Sequence, residues 1–288
     1  MRENVSPERP VICWFSGGVT SAVACKLAIG LFGKDNCRSI FIDTMNEDED
    51  SYRFLYECED WFEVEIEKIS HRDFQSIEEV WREYRGLNFA KGAICSTVLK
   101  REVREEWQKE NTYSYQVFGY DIDEPKRAKA FTINHHQANP IYPLMLLGYS
   151  KKKCIDVLQE AYIDIPRAYA WGFLNNNCLK TGCVQGGIGY WQKIGREAPH
   201  LFDKMARMEH ELTDLKGEPV TMLKDQSKSA KKSGNQLVFL RPHPDYPNLK
   251  DISKMKGRPP KPLIDCNGYC GITDLEGRNP TEDEINRM

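Results

Sequence analysis

The chain has 288 residues, a net charge of −3 and 40% hydrophobic residues, enough for one large α/β domain with an appendage. This balance, with a pI of about 6.1, excludes a protein whose whole surface attracts nucleic acid. No apolar run approaches the roughly 20 residues of a membrane-spanning helix, and no signal-like segment precedes the first predicted strand. We therefore expect a cytoplasmic protein with no membrane partner, and we expect a homo-oligomer.

The first predicted elements are a strand over 11–15, a Ser-Gly-Gly-Val-Thr-Ser loop over 16–21 and an alanine-rich helix over 22–28. Amide groups left unpaired at such a helix start bind anions, and two glycines let a phosphate approach the backbone closely. The loop is neither a Walker A sequence nor a GxGxxG dinucleotide loop. It predicts a phosphate site, and an ordinary strand–helix turn is the alternative.

Strand and helix patterns alternate through the rest of the first half. Strands alternating with crossover helices predict a mainly parallel, doubly wound α/β sheet, in a nucleotide-binding domain over 1–148. Ligands of such sheets bind beyond the carboxyl ends of the strands, where the 16–21 loop, Asp43 and Gly119 are expected. The predicted elements are strands over 39–44, 63–69 and 115–120 and helices over 51–62, 74–85 and 95–109.

The second half, 149–288, is predicted to be a helical and loop-rich region. A helix over 150–162 has Ser150 as its N-cap, and an amphipathic helix covers 199–212. The Lys- and Ser-rich stretch 224–235 is predicted to be mobile. Its lysines could contact nucleic acid or form a solvated face.

The ten cysteines fall into two groups. Without a secretion signal they are expected to stay reduced, and several sit singly in apolar surroundings as buried thiols. Four lie in glycine-containing loops as a C-x4-C pair, Cys178 and Cys183, and a C-x3-C pair, Cys266 and Cys270. Four thiolates suit zinc or an iron–sulfur cluster, so we predict a metal centre, with four unrelated loop thiols as the alternative.

Several segments together resemble a known family. The 16–21 loop resembles the SGGxxS loop of the PP-loop ATP pyrophosphatase (adenine nucleotide alpha hydrolase-like) superfamily. Segments 93–100, 119–127 and 139–144 are similar to the Cys–Lys helix, Gly…Glu…Arg and NP-x-x-PL elements of its phosphoadenosine phosphosulfate reductase-like branch. The resemblance implies a sheet of the PP-loop type that binds ATP or an adenylyl-sulfate nucleotide, with Mg²⁺.

The resemblance also implies roles for single residues. Asp43 would contact a ribose or Mg²⁺, with a simple strand-ending Asp as the alternative, and Gly119 would lie at the nucleotide. Many ATP-cleaving members carry Asp where this chain has Thr20. The residues implied at the phosphates are Ser16, Gly17, Gly18, Thr20 and Ser21.

Three further residues are implied in catalysis, each with a plainer alternative. Lys100 and Arg127 would supply positive charge to the nucleotide, or they could be surface ion-pair partners. Cys95 could ligate the metal, carry sulfur as a thiol activated by a helix N-terminus, or be structural. Sulfur-handling relatives use iron–sulfur clusters, and by that analogy we expect one at the four loop cysteines, with zinc as the alternative.

The function expected from these patterns is ATP-dependent activation of an acceptor by adenylation, with pyrophosphate release, or sulfur transfer to it. The sequence does not identify the acceptor, and a nucleic acid or a sulfur carrier is a possible partner. Two alternatives stand beside it, a reductase of adenylyl sulfate or phosphoadenylyl sulfate and a nucleotide-binding sensor or assembly protein without turnover.

Overall fold

The computed structural model describes residues 4–89, 92–176, 178–261 and 263. In these residues the strands are β1 (Val11–Phe15), β2 (Cys37–Ile42), β3 (Ile66–Ile69), β4 (Asn88–Phe89), β5 (Gly92–Ala93), β6 (Tyr115–Val117), β7 (Pro140–Ile141), β8 (Leu223–Lys224), β9 (Leu237–Phe239) and β10 (Lys250–Asp251). The α-helices are α1 (Val19–Phe32), α2 (Glu49–Phe62), α3 (Ile77–Glu83), α4 (Ile94–Ser96), α5 (Val103–Glu110), α6 (Pro125–Asn134), α7 (Pro143–Leu146), α8 (Lys151–Glu160), α9 (Arg167–Ala170), α10 (Ile188–Glu197), α11 (Pro199–Lys216) and α12 (Lys228–Ser233).

A five-stranded sheet forms the centre, in the order β3-β2-β1-β6-β7. Every neighbouring pair in it is parallel, with Val11 opposite Cys37 on one side and Tyr115 on the other. A parallel sheet is stable when helices cover both of its faces. The predicted α/β class with a mainly parallel sheet is confirmed.

Strand β1 shows that both faces are covered. Side chains alternate along a strand, and every residue of β1 is buried. Cys13 and Phe15 belong to a core that contains residues of α1, α2 and α8, whereas Trp14 packs on the other side with Trp107 of α5 and Phe131 of α6. The sheet is therefore wound on both sides, as predicted.

A third core contains residues from both halves of the chain. It joins α3 and α4 to α10 and α11, and its largest members include Trp81, Tyr190 and Trp191. Helix α8 instead contributes Cys154 and Leu158 to the core under α1, so residues beyond 148 help to bury the first helix. The boundary at 148 stays a prediction.

Two helices of the second half begin at a serine cap. The Ser150 hydroxyl accepts a hydrogen bond from the Lys153 amide at 3.3 Å, which confirms it as the N-cap of α8. The stretch 224–235 contains α12, and its mobility stays a prediction. The Ser227 hydroxyl caps that helix by accepting from the Ala230 amide at 3.2 Å, and Ala230 is buried. Across the described residues, the helices are too short or too polar to cross a bilayer.

Candidate functional site

The loop after β1 is closed by its own hydroxyls. The Ser21 hydroxyl accepts a hydrogen bond from the Ser16 amide at 3.0 Å and donates to the Gly18 carbonyl at 2.9 Å. The Ser16 hydroxyl also donates to Ser21 Oγ at 3.0 Å. Gly17 has a φ of 76°, a conformation that favours glycine. The loop is therefore a tight turn wrapped around the start of α1.

The first turn of α1 presents its amides at the end of β1. Gly18 is the N-cap residue, so no side chain bonds the first amides of the helix from this position. Thr20 lies in the first turn and is buried. The Val19 amide donates a long hydrogen bond, 3.4 Å, to the Tyr169 hydroxyl. The residues of this first turn, Val19, Thr20 and Ser21, are buried, and a phosphate at this helix start stays a prediction.

Gly119 meets this turn from the neighbouring strand. It follows β6, and a Cβ atom on it would lie 2.7 Å from the Ser21 nitrogen and 2.9 Å from the Thr20 carbonyl carbon. Contacts below 3.0 Å with backbone do not occur for real Cβ atoms. A residue with a side chain would therefore push β6 and α1 apart, which explains glycine at this position.

A segment from the second half lies against the same loop. The Asn176 side-chain amide donates to the Gly17 carbonyl at 2.8 Å and to the Ser51 hydroxyl at 3.1 Å. Upstream in this segment, the Arg167 guanidinium lies 2.6 Å from an Asp48 carboxylate oxygen at the start of α2. The loop is therefore held by contacts to residues about 150 positions away.

Two cations that are shielded from solvent line a cleft beside the loop. Lys100 lies in a π-helical stretch, Thr97–Glu102, between α4 and α5, and Arg104 follows in α5 with only 1% of its surface exposed. Both line a narrow cleft that also contains Ser16. The remaining lining residues are Trp14, Phe15, Phe41 and Ile42. π-Helical turns are frequent at functional sites, and this cleft combines an apolar wall with two cations.

Glu47 balances part of this charge. Its carboxylate lies 3.8 Å from Lys100 Nζ and accepts a hydrogen bond from the Thr44 hydroxyl at 3.0 Å. Both Glu47 and Lys100 are largely shielded from solvent, so their attraction is stronger than that of a surface pair. This contact holds the Lys100 ammonium beside the cleft.

Arg127 lies on the ring of Tyr120 near the end of β6. Its guanidinium carbon is 4.6 Å from the ring centre, and it donates to Glu124 at 2.6 Å. Burial raises the pKa of Tyr120 above its ordinary value. Burial, aided by the nearby guanidinium of Arg104, lowers the pKa of His135 to about 4, so this imidazole is neutral at pH 7. Tyr120 and Glu124 therefore hold the Arg127 guanidinium near the carboxyl end of β6.

The Asp43 carboxylate is occupied by protein donors. Its Oδ1 atom accepts from the Met45 amide at 2.8 Å, and the Tyr52 hydroxyl donates to Oδ1 and Oδ2 at 2.8 and 3.0 Å. Burial and this carboxylate together raise the pKa of Tyr52. The hydrogen bond from the Met45 amide makes Asp43 a turn-forming residue at the end of β2. A contact of Asp43 with ribose or Mg²⁺ stays a prediction.

The described cysteines of the predicted metal centre lie in one loop. The Tyr190 hydroxyl accepts from the Cys183 amide at 3.0 Å, and the nearby thiols of Cys183 and Cys178 add to burial in raising the pKa of Tyr190. Among the described residues no three His, Cys, Asp or Glu side chains are grouped to hold a metal ion. Cys266 and Cys270 lie outside the described residues.

Cys95 is the second residue of α4 and is buried. It belongs to the same apolar core as Cys183 and Tyr190. The first helical turn around it is the feature expected for an activated thiol, and the apolar core is the feature expected for a structural one. Both interpretations of Cys95 stay open.

Four residues at the site were not predicted from the sequence. Glu47 lies in a polar cluster with no distinguishing pattern, and Tyr169 and Asn176 reach the loop only through tertiary structure. Arg104 had a usable signal, because it follows Lys100 by four residues and so shares its helix face.

No protein-family model matches the chain. An uncharacterized protein of Methanocaldococcus jannaschii is 26% identical over 203 residues, which are 68% of this chain and 41% of that protein. The chain thus spans about two fifths of the length of this relative.

Among solved structures, the chain is similar to the phosphate complex of phosphoadenylyl-sulfate (PAPS) reductase from Candida auris. The TM-score is 0.47 at 14% identity, and the match covers 61% of this chain and 89% of the other.

Proposed function

We propose that the protein binds an adenine nucleotide at the carboxyl edge of its central sheet and activates an acceptor with it. The observation that carries this proposal is the cleft beside the loop over 16–21, here called the glycine loop. This cleft is lined by Ser16 of the glycine loop and by Lys100 and Arg104. Backbone amides and two shielded cations on one cleft suit the phosphates of a nucleotide. The aromatic and aliphatic part of the lining suits a purine ring.

The cations account for affinity and for stabilisation of the reacting phosphates. Arg104 is almost fully buried and Lys100 nearly so, and in such surroundings a cation interacts with a phosphate far more strongly than in water. In the adenylation that we propose, an acceptor oxygen bonds to the α-phosphorus while the bond to the bridging oxygen breaks and pyrophosphate leaves. Lys100 and Arg127 would neutralise the charge that develops on the departing oxygens.

A binding measurement tests the first step. Calorimetric titration of the purified protein with ATP, and separately with adenylyl sulfate, should give a micromolar dissociation constant for at least one of them. Lys100→Gln should weaken that binding about tenfold or more, since it removes a charge-assisted contact. Lys109→Gln is the matched control, because Lys109 is exposed on α5 and does not line the cleft. Affinity that is unchanged by Lys100→Gln, or no binding of either nucleotide, would overturn the proposal.

The same preparation separates the reaction classes. Exchange of labelled pyrophosphate into ATP supports adenylation. Release of sulfite from an adenylyl sulfate in the presence of a thiol supports the reductase alternative. Tight binding with neither product supports a sensor or assembly role.

We also propose that Cys178 and Cys183 hold a metal centre together with Cys266 and Cys270. One contact supports it, because the Leu263 amide donates to the Asn175 side-chain oxygen at 3.0 Å. Leu263 precedes Cys266 by three residues and Asn175 precedes Cys178 by three, so the described chain returns to this cysteine loop. The described thiols supply two donors of the four that an iron–sulfur cluster or zinc takes.

Metal analysis of protein purified without oxygen tests the centre. About four irons per chain with a broad visible absorption band are expected, whereas one zinc per chain would make the centre structural. Cys178→Ser should lose the metal, and Cys154→Ser should keep it, because Cys154 is buried in the core under α1. A wild-type protein that retains no metal would overturn this part of the proposal.

A further inference from the structure

The charge of the chain is divided unequally. Residues 216–261, here called the basic segment, contain eleven lysines and arginines but only four aspartates and glutamates, a net charge of +7. The whole chain has a net charge of −3, so all other residues together have −10. A local excess of this size gives the basic segment a positive field of its own.

Most of these cations are directed to solvent rather than to protein partners. Eight of them are exposed and take part in no ion pair of the described chain, whereas Lys216, Arg241 and Lys250 do pair. The eight are Lys224, Lys228, Lys231, Lys232, Lys254, Lys256, Arg258 and Lys261. A set of cations without internal counter-charges is available to an external polyanion.

Three of the eight are held on the ordered helix α12, and the last three follow in the stretch 256–261. The Gln192 side chain of α10 fixes this stretch, because it donates to the Met255 carbonyl at 3.2 Å and accepts from the Arg258 amide at 3.1 Å. Beyond this stretch, the Leu263 amide donates to the Asn175 side chain. Asn176, which follows Asn175 in the sequence, donates to the Gly17 carbonyl. The basic segment therefore leads from α12 to the candidate nucleotide site.

We propose that the basic segment binds the phosphate backbone of a nucleic acid. An anionic membrane is the competing polyanion, and amphipathic membrane-binding elements also insert large apolar side chains. None of the exposed large apolar side chains of the described chain lies within 216–261. Lysine and arginine without apolar anchors match contacts to phosphodiesters.

The position of the basic segment gives this nucleic acid a role. The stretch 256–261 precedes Leu263, which contacts Asn175, the neighbour of the residue that bonds the glycine loop. We infer from this order that the bound nucleic acid is the acceptor that the nucleotide activates. The role as acceptor rests on the proposed function, whereas the binding itself does not.

Fluorescence anisotropy with three labelled probes tests the binding: a 20-base-pair DNA duplex, a DNA single strand and an RNA hairpin. Titrations at several salt concentrations give the slope of log K against log salt, which changes by about 0.7 to 0.9 for each phosphate contact. Removing three contacting cations should therefore reduce the magnitude of this negative slope by about 2 to 3. The probe with the highest affinity distinguishes DNA from RNA as the source of the backbone.

Three matched triple variants localise the contact. Lys228→Gln with Lys231→Gln and Lys232→Gln, and Lys256→Gln with Arg258→Gln and Lys261→Gln, should each weaken binding about tenfold at 50 mM salt. Lys109→Gln with Lys152→Gln and Lys153→Gln removes the same charge outside the basic segment and should leave affinity unchanged. Circular dichroism confirms that each variant is folded.

The outcomes separate this inference from the proposed function. Equal binding by all three triple variants, no binding to any probe, or binding only to phosphatidylserine vesicles would overturn it. The variants of the basic segment should bind ATP as the wild type does, and Lys100→Gln should bind nucleic acid as the wild type does. Loss of ATP binding in Lys100→Gln alone therefore reports on the nucleotide site and not on the basic segment.

Discussion

Gly119 and Ser21 approach each other so closely that their backbones exclude a side chain. A Cβ atom on Gly119 would lie 2.7 Å from the Ser21 nitrogen and 2.8 Å from its α-carbon. This contact positions the end of β6 against the first turn of α1, where the glycine loop also closes through the Ser21 hydroxyl. The geometry of the loop therefore depends on a residue almost 100 positions away.

Gly119→Ala should move α1 relative to β6 and disturb the loop. We expect a loss of about 1–3 kcal/mol in the free energy of unfolding, typical of overpacking, and at least a tenfold loss of ATP affinity. Gly30→Ala is the control, because a Cβ there meets nothing within 4 Å and alanine is the better helix former. Urea unfolding and calorimetry on both variants measure the two effects. A Gly119→Ala protein as stable as wild type would contradict the close approach.

The fold was predictable where local pattern and packing agree. Alternation of strand and helix signals predicts a parallel sheet, and the site at the ends of its strands follows from topology. Gly119 was predicted at the site from its place after a strand, but the reason for glycine, contact with Ser21, became visible only in the structure.

Other parts of the site lacked a local signal. Asn176 reaches Gly17 across 159 positions, and no periodicity encodes such a contact. The helix face that Arg104 shares with Lys100 is visible in the sequence, but its burial, with 1% exposed, is not, because arginine is almost never fully buried. Helix α12 was also not predicted, because the lysines and serines of 224–235 hide the two features that stabilise it, the Ser227 cap and the buried Ala230.

Asn176→Ala should loosen the glycine loop. It removes the hydrogen bond to the Gly17 carbonyl, so we expect a loss of about 1 kcal/mol in unfolding free energy and a fivefold or greater loss of ATP affinity. Asn36→Ala is a matched control, because the Asn36 amide makes the same kind of bond, 3.0 Å to the Phe32 carbonyl, at the other end of α1. Calorimetry should show weaker ATP binding for Asn176→Ala alone. Equal ATP affinity in both variants would contradict a role for Asn176 in shaping the loop.

The described thiols should differ sharply in reactivity. Burial raises the pKa of Cys154 to about 12 and also raises the pKa of Cys58, so neither forms a thiolate at neutral pH. Cys178 is partly exposed. A short iodoacetamide treatment of chelator-treated protein at pH 7.5 should modify Cys178 and leave Cys58 and Cys154 intact, as measured by peptide mass spectrometry.

Two controls accompany the alkylation. Cys178→Ser should remove the modified peptide, and treatment in denaturant should label Cys58 and Cys154 as well. Modification of Cys154 in the folded protein at the rate of Cys178 would show that the core under α1 opens readily.

Glu209 should make the stability of the protein depend on pH. It is fully buried in α11, and its two carboxylate oxygens accept from the Met222 amide at 2.8 Å and the Leu240 amide at 2.6 Å. Burial outweighs these hydrogen bonds and raises its pKa to about 8 from 4.5. The folded protein therefore keeps a proton that the unfolded chain releases above pH 4.5. The free energy of unfolding should fall by up to about 1.4 kcal/mol per pH unit between pH 5 and 8 and level off above pH 8.

The variant Glu209→Gln tests this assignment, because glutamine does not titrate. Urea unfolding from pH 5 to 9 should show a flatter profile than wild type, although the variant is less stable at pH 5 since its amide group faces a backbone N–H. Glu211→Gln is the control, because Glu211 lies on the same helix in an ion pair with Arg82 at 2.5 Å, near the surface. Glu211→Gln should keep the wild-type dependence of the unfolding free energy on pH, because Glu209, whose pKa is raised, is still present. Parallel profiles for wild type and Glu209→Gln would place the pH dependence elsewhere.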